Sequence, residues 1–180
     1  NHAAVLAYAG SSGALSLQAD LRHDDNTVYG SVRTGRLGAA LALDGGWRLR
    51  ALAGTSFRAP SFNDLFYPFG GNAALRPETS LNRELALDHT GERGSLRATW
   101  FDQRVKDLIG NDSAFNRVNI ASAHLRGLEF SASWDLGAWR VAPSFTVQKP
   151  EDGSGRRLPR RARYLGDLSL STTLGGVQWQ

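Results

Sequence analysis

The sequence predicts an all-β fold: a fragment of an antiparallel transmembrane β-barrel with about nine to ten up-and-down strands. Three observations carry this. Apolar and polar residues alternate with a period of two along most of the chain, which is the mark of a strand with one apolar and one polar face. The alternating runs are near or above the roughly 9–11 residues that a tilted strand needs to cross a bilayer, whereas strands of soluble sheets average about 5–6. Short and long connections follow one another in strict rotation, the rhythm of a barrel with tight turns at one rim and loops at the other.

The elements follow in order. Strands are expected at about 2–9, 14–23, 35–43, 47–57, 83–90, 94–106, 123–134, 139–148 and 162–174, with a tenth starting at Val177. In Leu15-Ser16-Leu17-Gln18-Ala19-Asp20-Leu21-Arg22 the odd positions are apolar, and Leu128-Glu129-Phe130-Ser131-Ala132-Ser133-Trp134 repeats the pattern. Pro143 interrupts an otherwise regular run over 139–148. Tight turns fall at Gly10-Ser11-Ser12-Gly13, Asp44-Gly45-Gly46, Gly91-Glu92-Arg93-Gly94, Asp135-Leu136-Gly137-Ala138 and Gly175-Gly176. The long links are 24–34, 58–82, 107–122 and 149–161. Trp47, Trp134 and Trp139 stand beside short turns, where an interfacial aromatic girdle belongs.

Composition narrows the function. The 180 residues include 21 Lys+Arg against 17 Asp+Glu and no Cys, so disulfide frameworks and thiolate metal sites are excluded. The small positive excess is spread along the chain and lacks the basic face with interleaved aromatics of a nucleic-acid binder. No apolar run approaches the roughly 18 residues of a spanning helix, a test that membrane barrels escape because only alternate residues face lipid. No nucleophile elbow is present and the four histidines lack ligand spacing, so neither catalysis nor a metal site is expected. Asp24 with Asp25, or Asp107 with Asp112, are the carboxylate pairs closest to a cation site. Arg48, Arg50, Arg97, Arg104, Glu84, Asp88, Glu129 and Asp167 are expected on the polar face, lining a lumen.

Ordered motifs add a family. Gly54-Thr55-Ser56-Phe57-Arg58-Ala59-Pro60-Ser61-Phe62-Asn63-Asp64-Leu65-Phe66-Tyr67-Pro68 resembles the "FRAPxFxDLYYP" segment of TonB-dependent receptors. Gly71-Asn72-Ala73-Ala74-Leu75-Arg76-Pro77-Glu78-Thr79-Ser80 is similar to their "GNPxLxPExS" loop, with Ala73 in place of the usual Pro. Asp107-Leu108-Ile109, Asn116 to Ala121 and Arg126-Gly127-Leu128-Glu129 resemble the hairpin "DLI…NxxxAxxxGxE", and Leu158-Pro159-Arg160-Arg161-Ala162 the strand entry "LPRRP". Within the family, the wording of the Phe57–Pro68 loop and of Asp24-Asp25-Asn26 is most similar to cobalamin receptors.

The resemblance implies an intact barrel of roughly 22 strands with a plugged lumen, of which residues 1–180 form one partial barrel domain, in its C-terminal half and without the plug. It implies location in the outer membrane of a Gram-negative bacterium. The expected partners are cobalamin, or an iron-siderophore or haem, at the outer loops; lipid and lipopolysaccharide on the outer face; the protein's own plug in the lumen; and TonB through an N-terminal region not in this sequence. No cofactor and no nucleic acid are expected. Arg160 corresponds to the Arg that contacts ligand in cobalamin receptors; a rim Arg holding lipopolysaccharide phosphate or water is the plainer alternative. Asn63, Asp64, Phe66 and Tyr67 lie in the long loop, where aromatics can stack on a planar ligand or simply pack the loop. Arg161 is expected to point opposite to Arg160, and Glu78 to pair with an Arg. A passive porin, a barrel phospholipase and a soluble β-sandwich adhesin are the competing classes.

Overall fold

The computed structural model describes residues 2–120, 122–174 and 177–179. Among the described residues the chain forms twelve strands: β1 (His2–Ser12), β2 (Leu15–Asn26), β3 (Gly30–Ala42), β4 (Trp47–Arg58), β5 (Glu78–Gly91), β6 (Gly94–Lys106), β7 (Ile109–Asn111), β8 (Arg117–Asn119), β9 (Ala123–Leu136), β10 (Trp139–Asp152), β11 (Tyr164–Leu174) and β12 (Val177–Trp179). A short helix, α1 (Phe62–Phe66), interrupts the link between β4 and β5. Ten strands make one antiparallel sheet in the order β1-β2-β3-β4-β5-β6-β9-β10-β11-β12, and β7 and β8 form a separate hairpin. Among the described residues β1 and β12 are the sheet's edges, so this is a barrel wall that does not close on itself.

The register is unbroken from strand to strand, so parity fixes the two faces. One face carries Leu15, Leu17 and Leu21 on β2, Leu37 and Leu41 on β3, Leu49 on β4, and Leu85 and Leu87 on β5. It continues through Trp100, Leu128, Phe130, Trp134, Phe145, Val147, Leu168 and Leu170. Most of these side chains are exposed. A contiguous exposed apolar face of this extent is tolerated only against lipid or a partner. The opposite face is polar: Arg50 and Arg97 both donate to Asp88, at 2.5 and 2.6 Å.

The expected strands are all present, but several run further than the alternation shows. β2 and β3 extend until Asn26 sits opposite Gly30, leaving only Thr27, Val28 and Tyr29 in the turn. The expected long link 24–34 is therefore a tight hairpin, with Asn26 Oδ1 accepting from Val28 N at 2.8 Å. Polar residues stand on both faces there, Asp24 and Asn26 on one and Asp25, Ser31 and Arg33 on the other, so the ladder continues beyond the membrane without a regular alternation to mark it. β5 likewise begins at Glu78, and the link 107–122 folds into the β7–β8 hairpin. The turn at 44–46 uses Gly45 and Gly46 at φ +68 and +79, a region natural to glycine. The expected Gly175-Gly176 turn lies outside the described residues.

Two expectations fail on the faces. Arg104 is two and four residues from Asp102 and Trp100 and shares their apolar side, opposite Leu81 and His124. It cannot line the lumen with Arg97, seven residues away, because seven steps reverse a strand side chain. Arg160 lies in a turn ahead of β11, at φ +57, so strand alternation does not govern it and Arg161.

Candidate functional site

The long link 59–77 and the hairpin segment 107–120 meet at one rim of the sheet and build a shared platform. Its folding starts locally. Ser61 caps α1: its Oγ accepts from Asp64 N at 3.2 Å, while the Asp64 carboxylate accepts from Ser61 N at 2.9 Å and Ser61 Oγ at 2.7 Å. This reciprocal capping box buries Asp64, which also pairs with Arg117 of β8 at 3.2 Å. Burial pushes the Asp64 carboxyl up, but the Ser61 hydrogen bonds and the charges of Arg117 and Arg58 outweigh it and hold it below the usual carboxylate range.

Leu65, Leu75 and Ile109 form a small apolar cluster beneath α1. Polar staples surround it. Asn119 donates to Arg76 O at 3.0 Å and Asp107 O at 2.7 Å and accepts from Arg76 N at 2.9 Å. Asn72 donates to Arg117 O at 3.0 Å, and Arg117 N donates to Gly70 O at 2.7 Å. Gly70 is at φ +107 with the Phe115 carbonyl against its Cα, where a Cβ would collide. Glu78 accepts from Arg58 at 2.9 and 2.6 Å and from Ile109 N at 2.8 Å, tying the platform to the ends of β4 and β5. The expected Glu78–Arg pairing is thus met by Arg58.

The two segments enclose a cleft of about 360 Å³ lined by Asn63, Tyr67, Phe69, Gly70, Asn111, Phe115 and Arg117. Tyr67 and Phe69 meet edge to face at 5.9 Å, and Phe69 and Phe115 are largely exposed. Aromatic rings presented to solvent beside amide and guanidinium groups suit a large, partly planar ligand with polar edges. Asp112 shapes the tip by accepting from Asn116 Nδ2, Asn116 N and Ala114 N. Those bonds, led by that of the Asn116 side chain, lower its pKa.

The expected residues separate into three groups. Asn63 and Tyr67 line the cleft. Phe66 is half exposed and packs against Phe62 with the rings tilted and their centroids 5.1 Å apart, outside the cleft lining. Asp64 is buried and fully engaged by Ser61 and Arg117, so its role is to hold the loop. Arg160 lies in another concavity, of about 430 Å³, formed by 157–162 alone. Phe69, Asn111, Phe115 and Arg117 join the cleft although sequence reasoning did not select them; exposed aromatics beside Gly and Asp turn residues were the available signal. Asp24 is bound by Arg22, and Asp107 by Arg76. Among the described residues no three His, Asp or Glu side chains converge on a metal position.

Residues 4–180 match the family model described as "TonB dependent receptor-like, beta-barrel". The chain is 30% identical over 172 residues to the vitamin B12 transporter BtuB of Photobacterium profundum, covering 91% of this chain and 28% of that protein. It therefore spans under a third of the length of that relative. The crystal structure of the siderophore receptor PirA from Acinetobacter baumannii superposes with a TM-score of 0.82 at 20% identity, over 96% of this chain and 31% of PirA. The copper transporter OprC superposes with a TM-score of 0.79 at 22% identity, over 96% and 31%.

Proposed function

The chain belongs to the TonB-dependent receptor β-barrel family, and from that premise we propose that it supplies wall and cargo-facing loops to an outer-membrane active transporter for cobalamin. The observation that carries the cargo is the likeness in sequence to vitamin B12 transporters over nine-tenths of the chain. The aromatic cleft between 59–77 and 107–120 supports it, since corrin is large, partly planar and rimmed by amides. Tyr67, Phe69 and Phe115 would pack on the macrocycle, with Asn63 and Asn111 facing its amides. Arg160 would reach the same ligand from the neighbouring loop, its five N–H donors directed at amide or phosphate oxygens.

The remaining parts follow from the same reading. A plug domain encoded upstream would occupy the lumen against the polar face, where Arg50, Asp88 and Arg97 already form a hydrogen-bonded group. TonB would act through that upstream region. The barrel would sit in the outer membrane of a Gram-negative bacterium.

Equilibrium binding of cyanocobalamin by the full-length protein tests this. Submicromolar binding is expected, weakened about tenfold or more by Arg160→Ala and by Phe115→Ala, as loss of one charge-assisted contact or one buried ring entails. Binding of a ferric siderophore or haem with no binding of cobalamin would overturn the cargo and leave the barrel standing. Unchanged affinity in both variants would overturn the site.

A further inference from the structure

We propose that Arg117, aimed by the buried carboxylate of Asp64, is the specificity-determining residue of the cleft and selects ligands that carry a phosphodiester beside a planar body. This rests on the cargo reading above and names the chemical group that the cleft recognises. The cleft, at about 360 Å³, is at the low end of small-molecule pockets, which span roughly 300–1,000 Å³. It takes one portion of a large ligand, and its chemistry says which portion.

Arg117 is the one charged residue in the lining. The other cations of the platform are spent on carboxylates. Arg58 directs Nε and Nη2 at Glu78, at 2.9 and 2.6 Å, and Arg76 gives Nη2 to Asp107. Asp112 is turned toward the N–H groups of Ala114 and Asn116. Arg117 differs in approaching its carboxylate, Asp64, through Nε alone, at 3.2 Å. Its remaining bonds run through the backbone, to Gly70 O at 2.7 Å and from Asn72 Nδ2 at 3.0 Å. Among the described residues, Nη1 and Nη2 have no hydrogen-bond acceptor.

Asp64 fixes the direction of that side chain. Its own side chain is 7% exposed, against 40% for Arg117. Asp64 Oδ2 accepts twice from Ser61, at 2.9 and 2.7 Å, while Oδ1 faces Arg117. A guanidinium swung out to water would leave a buried carboxylate short of its counter-charge. Nε therefore stays inward, and the Nη groups are left to the cleft that the side chain lines. The two backbone bonds hold Arg117 from behind, so little freedom is lost when a ligand arrives. A guanidinium offers its N–H groups as a planar fork that matches two oxygens of a phosphate. Tyr67, Phe69 and Phe115 stand around it in the lining, which places the anion against the planar body. In cobalamin the other polar side groups are neutral amides and the phosphodiester is the anionic group. Arg117 reads that group.

The test is equilibrium binding of two corrinoids by the full-length protein: cyanocobalamin, and dicyanocobinamide, which has the same macrocycle but no phosphodiester. The parent should bind cyanocobalamin about tenfold or more tighter, as one charge-assisted contact entails. Arg117→Gln should bring cyanocobalamin down to the level of dicyanocobinamide, and Arg117→Lys should recover part of the preference. Asp64→Asn keeps the shape of the buried group and removes its charge, so it should shrink the preference as well. Ser61→Ala loosens the cap of α1 without touching Arg117 and should weaken both corrinoids by the same factor. Equal affinity of the parent for the two corrinoids, or an undiminished preference in Arg117→Gln, would overturn the proposal and leave the cargo reading standing. An Asp64→Asn variant that weakens both corrinoids equally, as Ser61→Ala does, would overturn the aiming role of Asp64. A protein that binds neither corrinoid overturns the cargo reading and this inference with it.

Discussion

Replacing Asn119 with Ala should loosen the loop platform while leaving the barrel wall intact. The side chain makes three hydrogen bonds that join 76, 107 and 119, at 2.9, 3.0 and 2.7 Å. Each net bond contributes about 0.5–1.5 kcal/mol, and water takes over part of that at a half-exposed site, so a local loss of about 1–3 kcal/mol is expected. Asp107, in the left-handed region at φ +54, loses the contact that holds its carbonyl. Hydrogen exchange followed by mass spectrometry on the full-length protein reads this directly. Amides in 70–78 and 107–120 should exchange about 5- to 150-fold faster, with β4–β6 unchanged. Asn82→Ala is the control. It removes a comparable set of bonds, to Ser56, Ser80 and Gln103, from the polar face of the wall. Exchange in the loops indistinguishable from the parent would refute the platform, and equal acceleration in the strands would show that loop and wall unfold together.

Two further predictions concern facing and pH. Phe130→Arg puts a cation in the middle of the apolar belt and should cost about 2–4 kcal/mol in urea unfolding of the lipid-embedded barrel, while Ser131→Arg, one residue on and facing the lumen, should cost much less. Comparable losses would mean the faces are wrongly assigned. Asp64 and Asp112 both have folded pKa values below the ordinary value, so their stabilisation is complete above the unfolded value of about 3.9 and is lost as pH falls through the lower folded values. Limited proteolysis should therefore cut 59–77 and 107–120 faster only below about pH 4, and Asp112→Asn should blunt the response. Loosening already between neutral pH and pH 6 would contradict the assignment.

Much of the wall was legible because the signal is repeated. Leu15-Ser16-Leu17-Gln18 and its counterparts in β9, β10 and β11 give a period of two, and the repetition along the chain reinforces it. The ends of strands were less legible. Asp24-Asp25-Asn26 carry no alternation, and the one apolar residue opposite them, Val32, faces Asp24, since beyond the membrane both faces meet water and nothing separates them by polarity. Arg104 was misplaced for a different reason. Charge was taken as a mark of the lumen, although counting in twos from Trp100 puts it on the lipid side; the parity was in the sequence and polarity masked it. Of the ligand candidates, Asn63 and Tyr67 reach the cleft, whereas Asp64 is consumed by Ser61 and Arg117.

The sequence alone determined that this is a membrane-crossing sheet and which residues within its alternating runs share a face, because strand periodicity is local and each residue needs only its neighbours to express it. Only the tertiary structure decided how loops far apart in sequence share a cleft and which carboxylates are spent on architecture. Those outcomes depend on register between strands and on partners as far apart in the chain as Asp64 and Arg117, and no local pattern encodes such a meeting.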